Sequence, residues 1–325
     1  MVLNLYKSKF QFAEVETPTL ATQVGAVHHT NRKYYFSWRC ILLKADKYCK
    51  ETIEDILNNG FLDENPRPHY ADGTPAHTIS LNQRMQQFDI SKGEFPLITL
   101  RPIAWKNAVR EILWIYQDQT SSLNVLENKH DIHWWNDWES KDRPGTIGQR
   151  YGATVKKYDL VNNLLKELKE DPFGRRHIMS LWQEEDFKET DGLKPCAFLT
   201  MWNVRKQNGI MYLDMTLIQR SSDYLTACAI NQLQYIALLL MVSKHCNMEP
   251  GVFTHFIQNI QIYDRHVENA KIMLDRKPIE CNPKLVLDTD KTNFYDFTID
   301  DFKLVDYPLS TIKETNPQLK FELGI

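Results

Sequence analysis

The chain contains no Cys-x-x-Cys pair, no long block of one charge, and no uninterrupted apolar run of the roughly 18 residues that a spanning helix needs. Its six cysteines (Cys40, Cys49, Cys196, Cys228, Cys246 and Cys281) are scattered without disulfide-scaffold spacing, so reduced thiols and a cytoplasmic setting are expected. The net charge is −3 with the basic residues dispersed, which argues against a nucleic-acid or membrane surface. The first residues lack a basic region followed by an apolar one, so no export signal is read. Neither G-x-G-x-x-G nor G-x-x-x-x-G-K occurs, which argues against dinucleotide and ATP chemistry. His130 and His133 stand three apart, but no further ligand pair follows; both read as neutral surface histidines, and no metal is expected.

What remains is an ordinary globular composition over 325 residues, enough for one large domain or two small ones. Residues 1–43 mix aromatic runs such as Tyr34-Tyr35-Phe36 with no clear period and are expected to be an accessory extension or an over-called start. From Ala45 a helical pattern sets in, with Tyr48, Ile53, Ile56 and Leu57 on one side and Asn58-Asn59-Gly60 as a stop. Further helices are expected over Trp105–Gln117, Leu160–Lys169, Leu233–Val242 and Asp264–Leu274. Strands are expected at Phe198–Lys206, Ile210–Arg220 and Val252–Tyr263. Asn208-Gly209 between the first two strands is a strong hairpin signal.

That hairpin brings Cys196 and Arg220 to one end. Cys196 follows Pro195 and leads into the first strand, so it sits on rigid backbone, where a thiol can be aimed into a cleft. The thiolate is the reactive form, and a fixed guanidinium such as Arg220 favours it. A lone cysteine is more often a buried structural thiol, and that alternative stands beside the nucleophile. Glu111 sits among Trp105, Ala108, Val109, Ile112, Leu113 and Tyr116, where a carboxylate needs a partner or a raised pKa; either suits a proton carrier, whereas an exposed edge would make it ordinary. His133-Trp134-Trp135-Asn136-Asp137-Trp138 offers either a stacking wall or core filling. Arg175-Arg176, after Asp171-Pro172, are solvated charge or a fork for phosphate oxygens. Arg67 lies in the turn-rich Pro66–Pro75 loop with the same two readings. Asn231 opens a helix, where it either caps or binds.

Pro195-Cys196, Gln219-Arg220-Ser221-x-Asp223, Asn231 followed by Tyr235, and Ile262-Tyr263 resemble the dUMP-site motifs of the thymidylate synthase family. Asp171-Pro172-x-x-Arg175-Arg176, Glu111-Ile112-Leu113-Trp114 and Gly148-Gln149-Arg150-Tyr151-Gly152 resemble its double-arginine loop, its Glu-Leu-Leu-Trp helix and its Gly-x-x-Tyr-Gly turn. The motifs occur in the family's order from about Lys44 to Ile325. Asp72-Gly73-Thr74 and Asn293-Phe294-Tyr295-Asp296-Phe297 point to the bacterial form. Five places depart from the pattern: Gln261 stands for the usual His, Ala227-Cys228-Ala229-Ile230 for Gly-x-Pro-Phe, Asn136 for Asp, Trp134 for an aliphatic residue, and the Pro66–Pro75 loop around Arg67 for the commoner Arg-Thr-Gly-Thr-Gly-Thr.

The resemblance implies an α+β fold, a mixed twisted sheet with helices on one face and a dimer interface on the other, with the catalytic domain over residues 44–325. It implies reductive methylation of dUMP to dTMP, with 5,10-methylenetetrahydrofolate as one-carbon and hydride donor, through a covalent bond from Cys196 to uracil carbon-6. Glu111 and Tyr151 would manage protons. Arg220, Ser221, Arg67 and, from the partner subunit of a homodimer, Arg175 and Arg176 would bind phosphate. Asn231 would read the base, Gln261 and Tyr263 the ribose hydroxyl. Asp223, Trp135, Trp138 and the terminal Ile325 would line the folate site. A pyrimidine-nucleotide hydroxymethylase shares the early steps and is the rival enzyme; an RNA-binding regulator is the rival outside enzymes, one for which the sequence supplies no basic stripe.

Overall fold

The computed structural model describes residues 43–325, so the extension expected over residues 1–43 lies, but for Leu43, outside the described residues. In chain order the first half comprises α1 (Lys44–Asn59), β1 (Phe61–Leu62), β2 (Thr78–Asp89), α2 (Trp105–Ile112), α3 (Leu123–His130), α4 (Gly152–Lys157), α5 (Leu160–Glu170), β3 (His177–Ser180) and α6 (Glu184–Glu189). There follow β4 (Ala197–Gln207), β5 (Ile210–Gln219), β6 (Ser222–Asp223), α7 (Ala229–His245), β7 (Glu249–Tyr263), α8 (Val267–Asp275), β8 (Lys284–Leu287), β9 (Phe302–Val305) and α9 (Leu309–Thr315).

A seven-stranded mixed sheet runs β1-β2-β7-β5-β4-β3, with β6 also paired to β7; β8 and β9 form a separate ribbon. β4 and β5 are the expected hairpin, and Asn208 and Gly209 both take the positive φ that its two-residue turn requires. β5 pairs with β7 in parallel, because α7 lies between them in sequence and carries the chain back across the sheet. Strand alternation then separates two faces. Leu213, Met215 and Leu217 on β5 and Phe253 and Ile257 on β7 are buried on the side where α7 packs. The opposite face carries a row of apolar residues in register, Met85, Phe256, Ile218 and Leu199, none of them fully buried.

Two helices depart from expectation. The run Trp105–Gln117 is α-helical only to Ile112, and Leu113–Gln117 widens into a π turn, a local irregularity of the kind that gathers at functional sites. The helix expected at Leu233–Val242 begins earlier, at Ala229, directly after a second π turn over Tyr224–Cys228. The combined helical run Tyr224–His245 is long and apolar enough to cross a bilayer, although no uninterrupted apolar run of that length exists; 72% of its most apolar window is buried inside the protein, as the central helix of a core requires.

Candidate active site

Pro195 is buried and fixes the approach to β4, so Cys196 sits directly before the strand's first residue, Ala197. Arg220 stands just beyond the end of β5, and the hairpin pairing sets it opposite. Its backbone N–H donates to the Cys196 carbonyl (2.9 Å). Its guanidinium donates to the carbonyls of Pro195 (3.0 Å) and Lys194 (2.7 Å) and reaches the Cys196 Sγ at 3.3 Å. The thiol therefore has a charged donor at contact distance, held by two backbone acceptors. Arg220 favours the thiolate as expected, but burial is the larger effect. Burial pushes the thiol up from its ordinary value, and the Arg220 and Arg67 guanidiniums pull it back without overcoming that rise.

Tyr151 completes the thiol's support, its hydroxyl accepting from the Cys196 backbone N–H at 3.1 Å. It does so from a strained backbone, φ 48° and ψ −109°, which a non-glycine residue adopts only under constraint. The constraint is visible on both sides. Arg150 is buried and donates to the carbonyls of Gln149, Asp186 and Thr190, and a Cβ on Gly152 would lie 2.3 Å from the Thr120 carbonyl oxygen. The Tyr151 ring meets Trp135 edge-on at 5.1 Å, and Trp135 meets Trp138 at 5.8 Å. The three rings form a continuous aromatic wall leading away from the cysteine.

Glu111 is buried, so of its two readings the exposed edge falls away. Its carboxylate accepts from the indole N–H of Trp134 at 2.7 Å, so the tryptophan that departs from the family pattern serves the carboxyl directly. Burial raises the Glu111 pKa to about 7, while Trp134, Trp135 and Gln234 oppose the rise; the Trp135 N–H faces the carboxyl without a formed hydrogen bond. A group that titrates near neutrality can both take and return a proton.

Asn231 lies in the first turn of α7 and does not act as its cap. Its Oδ1 accepts from Gln219 Nε2 (3.1 Å) and its Nδ2 donates to Gln234 Oε1 (2.9 Å). Gln219, given no role from sequence, and Gln234 thus hold the amide between them. Gln219 had one available signal. It is polar on the face of β5 where its alternating neighbours are core, and a buried polar residue needs a partner.

Ser221 joins the thiol end through its carbonyl, which accepts from Gln219 Nε2 at 2.9 Å. Asp223 is largely but not fully buried at the N-terminus of the Tyr224–Cys228 turn and accepts from the N–H of Leu225 and the hydroxyl of Thr226. Burial raises its pKa, while His266 and Thr226 oppose the rise. Gln261 pairs with Asp223 across β6 and β7 and with Ser80 across β2, and Tyr263 ends β7. Tyr263 is buried against Tyr70 and His266; burial raises its pKa to about 12, and Asp223, Arg67 and Cys196 all act on it. Arg67 is exposed, within electrostatic reach of Cys196 and Tyr263. The terminal Ile325 pairs its backbone with His69, two residues on from Arg67, in both directions at 2.9 Å.

Arg175 and Arg176 are not brought to this cluster. They stand exposed before the edge strand β3, beside an open depression of about 590 Å³ lined by Asp171, Phe173, Gly174 and the two arginines themselves. His130 corrects an expectation. It is buried, with its Nε2 2.6 Å from Asp118, whereas His133 is exposed. Among the described residues no group of three or more His, Cys, Asp or Glu stands together as metal ligands would.

A thiol with a guanidinium on its sulfur, a buried carboxyl near neutrality and an aromatic wall are the parts that an enzyme working through a thiol needs. Residues 47–320 match the family model described as Thymidylate synthase. The chain is 52% identical over 285 residues to the thymidylate synthase of Streptococcus pneumoniae (strain 70585), covering 87% of this chain and all of that one. It is 50% identical over 282 residues to that of Streptococcus sanguinis (strain SK36), 86% of this chain and 99% of that one. The solved structure of the thermostable thymidylate synthase A from Bacillus subtilis is similar, with a TM-score of 0.77 and 35% identity over 86% of this chain and 99% of that one. The chain belongs to the thymidylate synthase family, and is thereby a methyltransferase of dTMP biosynthesis.

Proposed function

We propose that residues 44–325 form the catalytic domain of a thymidylate synthase in which Cys196 adds to carbon-6 of dUMP. The observation that carries this is the Arg220 guanidinium on the Cys196 sulfur, with Tyr151 bracing the same residue from behind. Adding the thiolate to the conjugated uracil ring turns carbon-5 into a nucleophile. Carbon-5 then attacks the methylene carbon of methylenetetrahydrofolate and loses its proton. Glu111, half-protonated near neutrality, is the group suited to handle that proton through water, with the Tyr151 hydroxyl alongside. Elimination of tetrahydrofolate, return of its hydride to the exocyclic carbon and departure of the Cys196 sulfur leave dTMP and dihydrofolate.

The remaining residues bind. Arg220, Ser221 and Arg67 take the phosphate on the thiol side, and Arg175 and Arg176 take it in trans, from the partner subunit of a homodimer. The half-exposed apolar row Met85, Phe256, Ile218 and Leu199 is the interface that this homodimer requires. Asn231 reads the base, Gln261 and Tyr263 the ribose. Trp135 and Trp138 supply flat surfaces for the folate ring, Asp223 a carboxyl for its ring nitrogens, and Ile325 closes that side. Residues 1–43 lie outside this machinery, and the enzyme acts in the cytoplasm.

Incubating the protein with dUMP and methylenetetrahydrofolate and following dihydrofolate tests this. Only the hydride-transferring reaction oxidises the folate, so dihydrofolate formed one for one with dTMP is expected. Hydroxymethylated nucleotide without dihydrofolate would move the enzyme to hydroxymethyl transfer.

A further inference from the structure

Behind Asn231 runs an unbroken line of buried polar side chains that the proposed chemistry does not use. Gln219, His255, Gln232 and Gln86 are each less than a tenth exposed, and groups so buried need hydrogen-bond partners. Their directions follow from the far end. The Tyr224 hydroxyl donates to the Tyr48 backbone carbonyl (3.0 Å), so it only accepts from Gln86, whose Nε2 donates to it at 3.3 Å and to Thr52 at 3.2 Å. Gln86 Oε1 is then the acceptor for Gln232 Nε2 (2.7 Å), which also donates to His255 Nδ1 (3.3 Å). His255 therefore carries its proton on Nε2 and donates to Gln219 Oε1 at 2.9 Å. Gln219 Nε2 is left to donate to Asn231 Oδ1.

We propose that His255 is a positioning residue that, through Gln219, fixes which end of the Asn231 amide faces the base, so that the site accepts uracil and refuses cytosine. The inference rests on Asn231 reading the base. With Oδ1 accepting and Nδ2 donating, the amide matches uracil N3–H and O4; turned by half, it matches cytosine. A half-turn sets Asn231 Nδ2 against Gln219 Nε2, donor to donor. Relieving that clash requires Gln219 to turn, His255 to change tautomer, Gln232 and Gln86 to turn, and the Tyr224 hydroxyl to stop donating to Tyr48. The last step strands a backbone carbonyl, which can only accept. Burial pushes the His255 pKa down to about 3, so protonation does not offer another way out near neutrality.

The test compares kcat/KM for dUMP with that for dCMP in the full chain, scoring dCMP also as a competitive inhibitor in case it is not turned over. His255→Leu is expected to lower the preference for dUMP by about tenfold or more, the cost of one unmatched buried polar group. His255→Gln, which can donate to Gln219 and accept from Gln232, is expected to restore most of it. Gln86→Met, at the far end, should shift the ratio in the same direction as His255→Leu, and it decides the matter should that variant not fold. Equal losses for both nucleotides, with an unchanged ratio in His255→Leu and Gln86→Met, would mean a purely structural role and overturn the relay. Asn231→Asp separates the two levels. A changed ratio there alone leaves the base reader standing and the relay refuted, whereas no change there removes the base reader and the relay with it.

Discussion

Two residues carry the proposed chemistry, and each has a consequence that can be measured. Cys196 has a charged donor on its sulfur and a braced backbone, and neither helps an alcohol, whose oxygen is a far weaker nucleophile at neutral pH. Cys196→Ser is expected to lose turnover and covalent capture of 5-fluoro-dUMP while melting near the wild-type temperature; substantial turnover would remove the centre of the mechanism. Glu111 gives a prediction about stability. Its carboxyl titrates at 4.5 when unfolded and at about 7 when folded, so the folded state holds the proton more tightly. The neutral acid is accommodated without penalty below about pH 4.5, and the burial cost grows as pH rises from there to about 7 and levels off above it. Glu111→Gln removes that cost. Relative to wild type, its unfolding free energy should be similar at pH 4.5 and higher by on the order of 2–3 kcal/mol at pH 8, although it is catalytically impaired. Urea midpoints of both proteins at the two pH values check this, and a variant destabilised at pH 8 would mean that Glu111 is not held near neutrality.

At the scale of elements, the site is a meeting of strand ends and loops, and these were unevenly legible in the sequence. The β4–β5 hairpin was visible because Asn208-Gly209 has a local geometric requirement, and from it the juxtaposition of Cys196 and Arg220 follows. The parallel pairing of β5 with β7 and the pairing of β2 with β7 join segments distant in sequence and leave no local signature. In the sequence His255 is one polar residue within a strand, and its link to Gln219 comes only with the sheet. Trp134 was visible as a departure, but not as the donor to Glu111, because that contact spans an irregular loop. For Cys196 the sequence shows one of the two opposing effects on the thiol: a guanidinium can be read from spacing, whereas burial depends on everything packed around it. The loop carrying Arg67 shows what elements add. Arg265 pairs with Asp72 (2.8 Å) in that loop and Glu322 (2.7 Å) in the terminal tail, and lies over the Tyr70 ring. Arg265→Ala therefore unpins the loop and the tail together. The KM for dUMP is expected to rise severalfold with a smaller fall in kcat and little change in melting temperature, since exposed ion pairs contribute little to stability. An unchanged KM would mean that the loop holds its place without the clasp.

At the scale of the whole molecule, the expected role of the extension and the proposed dimer can be tested separately. The family match begins at residue 47, and relatives are covered along their full length by 87% of this chain. A protein lacking residues 1–43 is accordingly expected to keep its kcat and KM; collapse of activity or of dimerisation would assign the extension to the fold. The arginines pose the larger question. Arg175 and Arg176 precede β3 at the sheet's edge, exposed, and they are not among the groups that act on the Cys196 thiol, whereas Arg220 and Arg67 are. Within one chain they stand apart from the Cys196 cluster. On a two-fold axis through the sheet face that carries Met85, Phe256 and Ile218, the same surface meets itself, and a residue near the edge of one subunit can reach the site of the other. Cys196→Ala and Arg176→Ala subunits are each inactive alone on this account, one lacking the nucleophile and the other the phosphate fork. Mixed, unfolded and refolded together, half the dimers are hybrids, and each hybrid holds one site with both groups intact. About a quarter of wild-type activity should return, since one site in two works in one dimer in two. Hybrids demonstrated by mass spectrometry yet inactive would place the arginines in service of their own chain.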